Sequence, residues 1–305
     1  MWSTSGLFAK APWFDGWPEE SRGMMLAFWR SAFAAVILVP LIRRPCFRWP
    51  MIPMVLCFAV MVASFMSAMV YGPAANAIWF QYLAPAWVLI FGVSLGIESI
   101  TRSDGWMIGC CIYAVLMMLA FEMNRGSNVF ASAMGILSGL SFAGVVLSMR
   151  ALRGVDPAWL ITLNHSATAL ILLPWIWNTE GSVSTGSYFA LAMFGILQMS
   201  VPYVLFAKGL KTVTGPEASV ISLIEPVLVP AWVYIAWSQH SSYESPRWWT
   251  IVGGSIICIS ILVRYLPAAV RSRRNVSTTQ NISTEPVAFS ETDSTQASIT
   301  KTDTT

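Results

Sequence analysis

The sequence predicts an all-α polytopic membrane protein: ten helices in two five-helix repeats of opposite orientation, with the first helix clipped at its N-terminus. Three observations predict it. Of 305 residues, 56% are hydrophobic and 11% charged, against roughly a quarter charged in soluble domains, so an ordinary water-facing surface is excluded. The apolar residues gather into nine runs, each close to the ~20 residues that a hydrocarbon core of about 30 Å demands. Landmarks of the first half recur in the second at separations of 134 to 146 residues.

The piece from Met1 to Phe14 is apolar but too short to span, reaching about 20 Å at the helical rise. The first full run, 23–42, carries Arg30, passes Pro40 and stops at Arg43-Arg44-Pro45. Runs 51–71 and 74–97 follow, the second interrupted by Pro85, and the joint Thr101-Arg102-Ser103-Asp104-Gly105 leads into 104–121. The second half opens with 130–150, ending at Arg150, and continues with 158–177, which holds Asn164, His165 and Pro174. Run 188–208 carries Gln198 and Tyr203, run 215–238 carries Glu225-Pro226, and run 248–266 is the last. Their apolarity is continuous rather than alternating, which argues for helices over barrel strands. The G-x-x-x-G strings at Gly92/Gly96, Gly105/Gly109 and Gly135/Gly139 mark close helix packing or the seam of a homodimer. Beyond the last run, Ser and Thr dominate, and residues 267–305 are expected to form a disordered cytoplasmic tail. The sequons at Asn275 and Asn281 would then stay out of reach of glycosylation.

Lys and Arg sort by side of the membrane. Alternate joints hold Arg43, Arg44, Arg48, Arg102, Arg150, Arg153, Lys208 and Lys211, with Arg264, Arg271, Arg273 and Arg274 at the last exit. The opposite joints hold Lys10, Arg22, Arg125 and Arg247. Twelve against four places the first set and the C-terminus in the cytoplasm, with the cell (inner) membrane as the expected location. The five cysteines (Cys46, Cys57, Cys110, Cys111 and Cys258) form no C-x-x-C pair, so neither a disulfide framework nor a zinc site is indicated. No basic run is interleaved with aromatics, which excludes a nucleic-acid footprint. No G-x-x-x-x-G-K-[ST] loop is present to cradle a nucleotide. The partners expected are the lipid bilayer and a small-molecule substrate, without metal or cofactor.

The recurring landmarks pair Tyr82-Leu83-Ala84-Pro85 with Leu223-Ile224-Glu225-Pro226, Glu98 with Glu244, Gly109 with Gly253, Pro40 with Pro174 and Gly6 with Gly144. Residues 1–121 and 130–266 are thus expected to be two copies of one plan, and five spans per copy force opposite insertion, as in secondary transporters. Ser132–Arg150 opens the second copy with a full helix, whereas its counterpart begins only at the equivalent of about Leu140. A misplaced start or a truncation of helix one is the expectation.

Ionisable groups inside the hydrocarbon are costly and therefore functional candidates. Arg30 lies roughly 10 Å into its run. It either faces a cavity and pairs with a substrate carboxylate or phosphate, or is held by backbone carbonyls and snorkels outward. Glu225, just before Pro226, is either a site that binds and releases a proton for coupling or a structural carboxyl at a proline kink. His165 is a titratable candidate or a packing histidine. Pro85 and Pro226 interrupt matched helices, and such paired breaks point to the binding site of a repeat transporter. Around them the cavity is expected to draw on Asn76, Trp79, Gln81 and Tyr82 from one half, and on Gln198, Tyr203, Ser219 and Ser222 from the other. A Ser141–His165 hydrolase is a remote alternative, since the loop around Ser141 lacks the second glycine of a nucleophile elbow. A non-transporting scaffold or sensor is another.

Three local patterns resemble the EamA-like branch of the drug/metabolite transporter superfamily. Phe28-Trp29-Arg30-Ser31-Ala32 is similar to that family's second-helix arginine followed by small residues, and Glu225-Pro226-Val227 to its ninth-helix motif. Leu95-Gly96-Ile97-Glu98-Ser99 and Tyr243-Glu244-Ser245-Pro246 are similar to the polar breaks before helices five and ten. The resemblance covers about residues 1–266 and departs at the clipped first helix and at Tyr243, where a glycine would precede the glutamate. It implies a secondary transporter, with export as its direction, moving a small metabolite or amino-acid-like compound by alternating access.

Overall fold

The computed structural model describes residues 1–96, 99–126, 128–177, 185–202, 205, 220–240 and 243–284, the last fourteen as backbone only. Every element among them is helical. A turn at Trp2–Thr4 leads into the short helix α1 (Ser5–Ala9), followed by α2 (Glu19–Leu38), which a tighter turn prolongs through Leu41. Then come α3 (Met51–Tyr71), α4 (Ala74–Gln81), α5 (Ala84–Ser94), α6 (Arg102–Asn124), α7 (Val129–Ala151), α8 (Pro157–Trp177) and α9 (Thr185–Met193). A π-helical stretch, Phe194–Ser200, widens the end of α9, and α10 (Ile224–Trp237) and α11 (Trp248–Thr284) complete the described chain. Among the described residues, eight helices are long and apolar enough to cross a membrane, taking α4 and α5 as one broken span.

Several boundaries differ from the sequence reading. α2 begins four residues before the predicted run, because Glu19 and Glu20 occupy its first turn, where the helix dipole favours negative charge. Arg30 therefore lies deeper than expected, eleven residues into the helix, or about 16 Å. The predicted single span 74–97 is two helices. α11 runs on past 267 into the Ser/Thr-rich stretch assigned to a disordered tail, since each residue added to an existing helix gains a hydrogen bond without new nucleation. Thr101 and Asp104 close a reciprocal capping box that starts α6.

The helix partnerships repeat between halves. The broken pair α4 and α5 packs on α7, as α10 packs on α1; α3 packs on α8, as the widened end of α9 packs on α2. Two pairs match a helix with its own counterpart, α2 with α8 and α6 with α11. The core along α1–α4 and α8–α10 is filled by Phe14, Leu26, Met54, Met66, Ile78, Phe194 and Val229, all closed off from solvent. Trp49, Trp106, Trp177 and Trp248 instead sit exposed at helix ends, the position of interface anchors.

Candidate functional site at the facing helix breaks

Each half interrupts one helix just ahead of a proline. In the first half Tyr82 and Leu83 form the joint between α4 and α5, and Pro85 sits in the first turn of α5. Its ring has no N–H to continue the ladder and would collide with the carbonyl four residues back. In the second half the helical turn at 220–222 yields at Leu223, and α10 starts at Ile224 with Glu225 and Pro226 in its first turn. Gly139 makes the first break possible from the side. A Cβ there would lie 2.6 Å from the Phe80 carbonyl oxygen and 3.1 Å from that of Gln81, so only glycine lets α7 approach the frayed end of α4. Gly105 and Gly109, by contrast, face open space.

The two joints meet. Tyr82 Oη donates to the Ser222 carbonyl at 2.6 Å and stands 3.0 Å from Glu225 Oε2. One phenol proton therefore faces two acceptors while Glu225 is ionised. When Glu225 is protonated its own O–H can donate to Oη, the phenol proton goes to the carbonyl, and both bonds are made together. The position in the first turn of α10 supplies the opposing influence, because the N-terminal end of a helix favours a carboxylate.

A second group is built around Arg30. Arg30 is almost fully enclosed. Its Nη1 lies 3.4 Å from Gln198 Oε1 and its guanidinium sits over the Phe194 ring, 5.4 Å from the centroid. Gln198 reaches the other way to donate to the Trp2 carbonyl at 3.1 Å. The π-helical stretch aims Gln198 and Phe194 at α2, and Gly195 permits it, since a Cβ there would fall 2.8 Å from the Arg30 carbonyl. Widened turns of this kind recur at functional sites. Arg30 interacts electrostatically with both Glu225 and His165. His165, fully buried on α8, stands edge-on to Phe58 at 5.0 Å.

The segment between α1 and α2, at the end marked by Lys10 and Arg22, is pinned by several bonds. Arg22 binds the Asp15 carboxylate at 3.1 Å and the carbonyls of Asp15 and Trp17. Trp237 donates to the Leu7 carbonyl at 2.8 Å and meets Trp13 edge-on, and Ser187 donates to the Trp13 carbonyl.

The structure thus brings together Tyr82, Ser222 and Glu225, pairs Arg30 with Gln198 and packs His165 on Phe58. Three other candidates face elsewhere. Gln81 donates to Ser138 of α7 at 2.8 Å. Trp79 lies flat against Gly254 of α11. Asn76 joins a buried network between α4, α6 and α11, in which Asn76 and Trp249 both donate to Glu122 Oε1, at 2.7 and 2.8 Å, and Thr250 donates to Asn76 Oδ1. Tyr203 and Ser219 lie outside the described residues, as do Glu98, Lys208 and Lys211.

Sequence reasoning passed over Glu122, a buried carboxylate. It stands one residue beyond the predicted run 104–121 and therefore reads as a flanking charge. Asp104, equally enclosed, pairs with Arg264 and so ties α6 to α11 at their other end. The only signal for either residue was an acidic side chain at the edge of an apolar run.

A bundle of apolar helices whose two halves oppose helix breaks, with ionisable side chains between them, is the architecture of a membrane transporter. The EamA-like transporter family model matches residues 1–120 and 129–266, and the chain belongs to that family. It is 28% identical over 209 residues (67% of its own length, 72% of the relative's) to an uncharacterized transporter of Archaeoglobus fulgidus. It is 24% identical over 245 residues (78% and 84%) to the pseudopaline exporter CntI of Pseudomonas aeruginosa. A solved crystal structure matches 88% of this chain and 94% of its own at TM-score 0.57 and 16% identity, a likeness of fold.

Proposed function

We propose that this integral membrane protein is a proton-coupled secondary exporter of a small amino-acid-like metabolite, working by alternating access between the two halves. The observation that carries the reading is the contact of Tyr82 with Ser222 and Glu225, where the break of one half holds the break of the other. Protonation of Glu225 rearranges that hydrogen-bond pattern, so proton binding and the joint between halves are one event. Arg30, buried in α2 with Nη1 at Gln198 Oε1, supplies a cation for a substrate carboxylate. Glu225 supplies the opposite charge for an amine, a pairing that suits zwitterions. Export accords with the relative named as a pseudopaline exporter. The excess of Arg and Lys on one set of joints supports a cytoplasmic side for those joints and the C-terminus, with the inner membrane as the proposed location.

The test is flux in proteoliposomes across a metabolite panel, with and without an imposed pH gradient. Gradient-driven flux is expected in the wild-type chain, with loss of gradient dependence in Glu225→Gln. Substrate binding is expected to vanish in Arg30→Met for carboxylate-bearing compounds. Gradient-driven flux that survives in Glu225→Gln rejects the proton site, and absence of flux and binding across the panel rejects transport of this class.

A further inference from the structure

We propose that the groove between α3 and α8, roofed by the loop after α2, is a specific binding site for one anionic phospholipid. The groove is defined by the way that loop is pinned. The Cys46 carbonyl accepts from Trp159 Nε1 at 2.7 Å, and the Arg43 N–H donates to Asp156 Oδ2 at 3.2 Å. Asp156 Oδ1 meanwhile accepts from the Ala158 N–H at 3.1 Å, at the start of α8. These bonds hold residues 43–46 as a bridge over the ends of α3 and α8. Beneath it lies a cavity of about 490 Å³. Its walls include Phe47, Ile52, Val55 and Leu56 on one side and Trp159 and Leu163 on the other. Such walls have nothing to offer a polar metabolite, and hydrocarbon is the medium they face. An acyl chain is the occupant they suit.

The mouth selects the headgroup. Arg43, Arg44 and Arg48 are all exposed around the bridge. Among the described residues no carboxylate forms an ion pair with any of the three, and the nearby Asp156 is engaged by two backbone N–H groups. Three exposed arginines on the loop that roofs an apolar slot suit a phosphate joined to a fatty chain: guanidinium groups can meet a phosphodiester bidentately, and basic recesses between helices hold anionic lipid heads. Phe47 and Trp49, both strongly exposed, flank the same mouth at the level where aromatic side chains sit among headgroups. Neither feature alone singles out this place. The groove without the arginines is lipid-facing surface, and the arginines without the groove are an ordinary basic loop.

Cys46 gives a direct readout, because it is exposed and lines the groove. The full chain is reconstituted into nanodiscs of phosphatidylcholine, with or without phosphatidylglycerol. Retained lipid is counted by native mass spectrometry, and maleimide labelling of Cys46 is followed by peptide mapping. One phosphatidylglycerol per chain is expected to stay bound and to slow Cys46 labelling. Replacing the exposed trio together (Arg43→Gln, Arg44→Gln, Arg48→Gln) should weaken retention about a hundredfold, at roughly fivefold per arginine. Ile52→Trp, which fills the slot without touching a charge, should abolish retention while shielding Cys46 in the absence of the lipid. Equal retention of phosphatidylcholine, or undiminished phosphatidylglycerol in both variants, overturns the proposal. So does protection of Cys46 by inorganic phosphate that matches the lipid's, which would assign the mouth to a free anion.

Discussion

Removing one oxygen tests whether the two helix breaks are coupled through Tyr82. Tyr82→Phe keeps the ring and deletes the hydroxyl that donates to the Ser222 carbonyl at 2.6 Å and stands 3.0 Å from Glu225 Oε2. A neutral bond to a carbonyl contributes about 0.5–1.5 kcal/mol and one to a charged group about 1.5–3. Since one proton serves both acceptors, the loss should lie at about 1–3 kcal/mol rather than at their sum. At about 2–4 °C per kcal/mol for chains approaching this size, the apparent Tm in detergent should fall by several degrees. The sharper measurement is the double-mutant cycle with Glu225→Gln. That carboxamide can donate to Oη as a protonated glutamate would, so the pair should show a coupling of at least about 0.5 kcal/mol. The same cycle run at acidic and alkaline pH should change in the Tyr82→Phe series and stay flat in the Glu225→Gln background. Additive single effects at every pH, with Tm unmoved by Tyr82→Phe, would show that the two halves do not meet at this hydroxyl.

Three further perturbations read other parts of the argument. Gly139→Val places a branched side chain where even a Cβ is 2.6 Å from the Phe80 carbonyl oxygen. It should cost about 1–3 kcal/mol or more as an overpacked contact, lowering both Tm and flux, while Gly109→Ala, in open space, should leave both unchanged. Glu122→Ala strands the donors of Asn76 and Trp249, at about 1–3 kcal/mol for each unsatisfied group, whereas Glu122→Gln keeps an acceptor oxygen and should recover most of the Tm. Lys10 lies outside the eight spanning helices and donates to the Val70 carbonyl at 3.3 Å. Burial holds its ammonium below the ordinary lysine range, with Glu244 opposing and Arg22 adding to the shift. Because the folded chain gives up that proton before the unfolded one does, stability should rise with pH from the lowered value up to the usual ~10.4. Lys10→Met should remove that rise, as seen in Tm measured against pH.

The chain by itself determined the membrane, the helices and the place where they break. Hydropathy locates a span because burying ~20 apolar residues against lipid outweighs every local preference, and Pro85 and Pro226 fall at the breaks because each lacks the N–H that would continue the ladder, although Pro174, Pro230 and Pro267 sit inside continuous helices. Arg30 and Glu225 stood out for a similar reason, as charges in the middle of apolar runs. Helix rotation was not legible. A helix with lipid on one face and protein on the other is apolar all round, so no polar stripe tells which side chains look inward. Asn76 and Trp79 therefore seemed to line a cavity near Pro85, and only the packed structure turns them toward Glu122 and Gly254 on the far side of α4. The same tertiary packing decided that Glu122 and Asp104, which read as flanking charges, are buried ties between α6 and α11. It also decided that Tyr82 reaches across the halves to Glu225. That contact links residues 143 apart in sequence, and no local pattern encodes a separation of that kind.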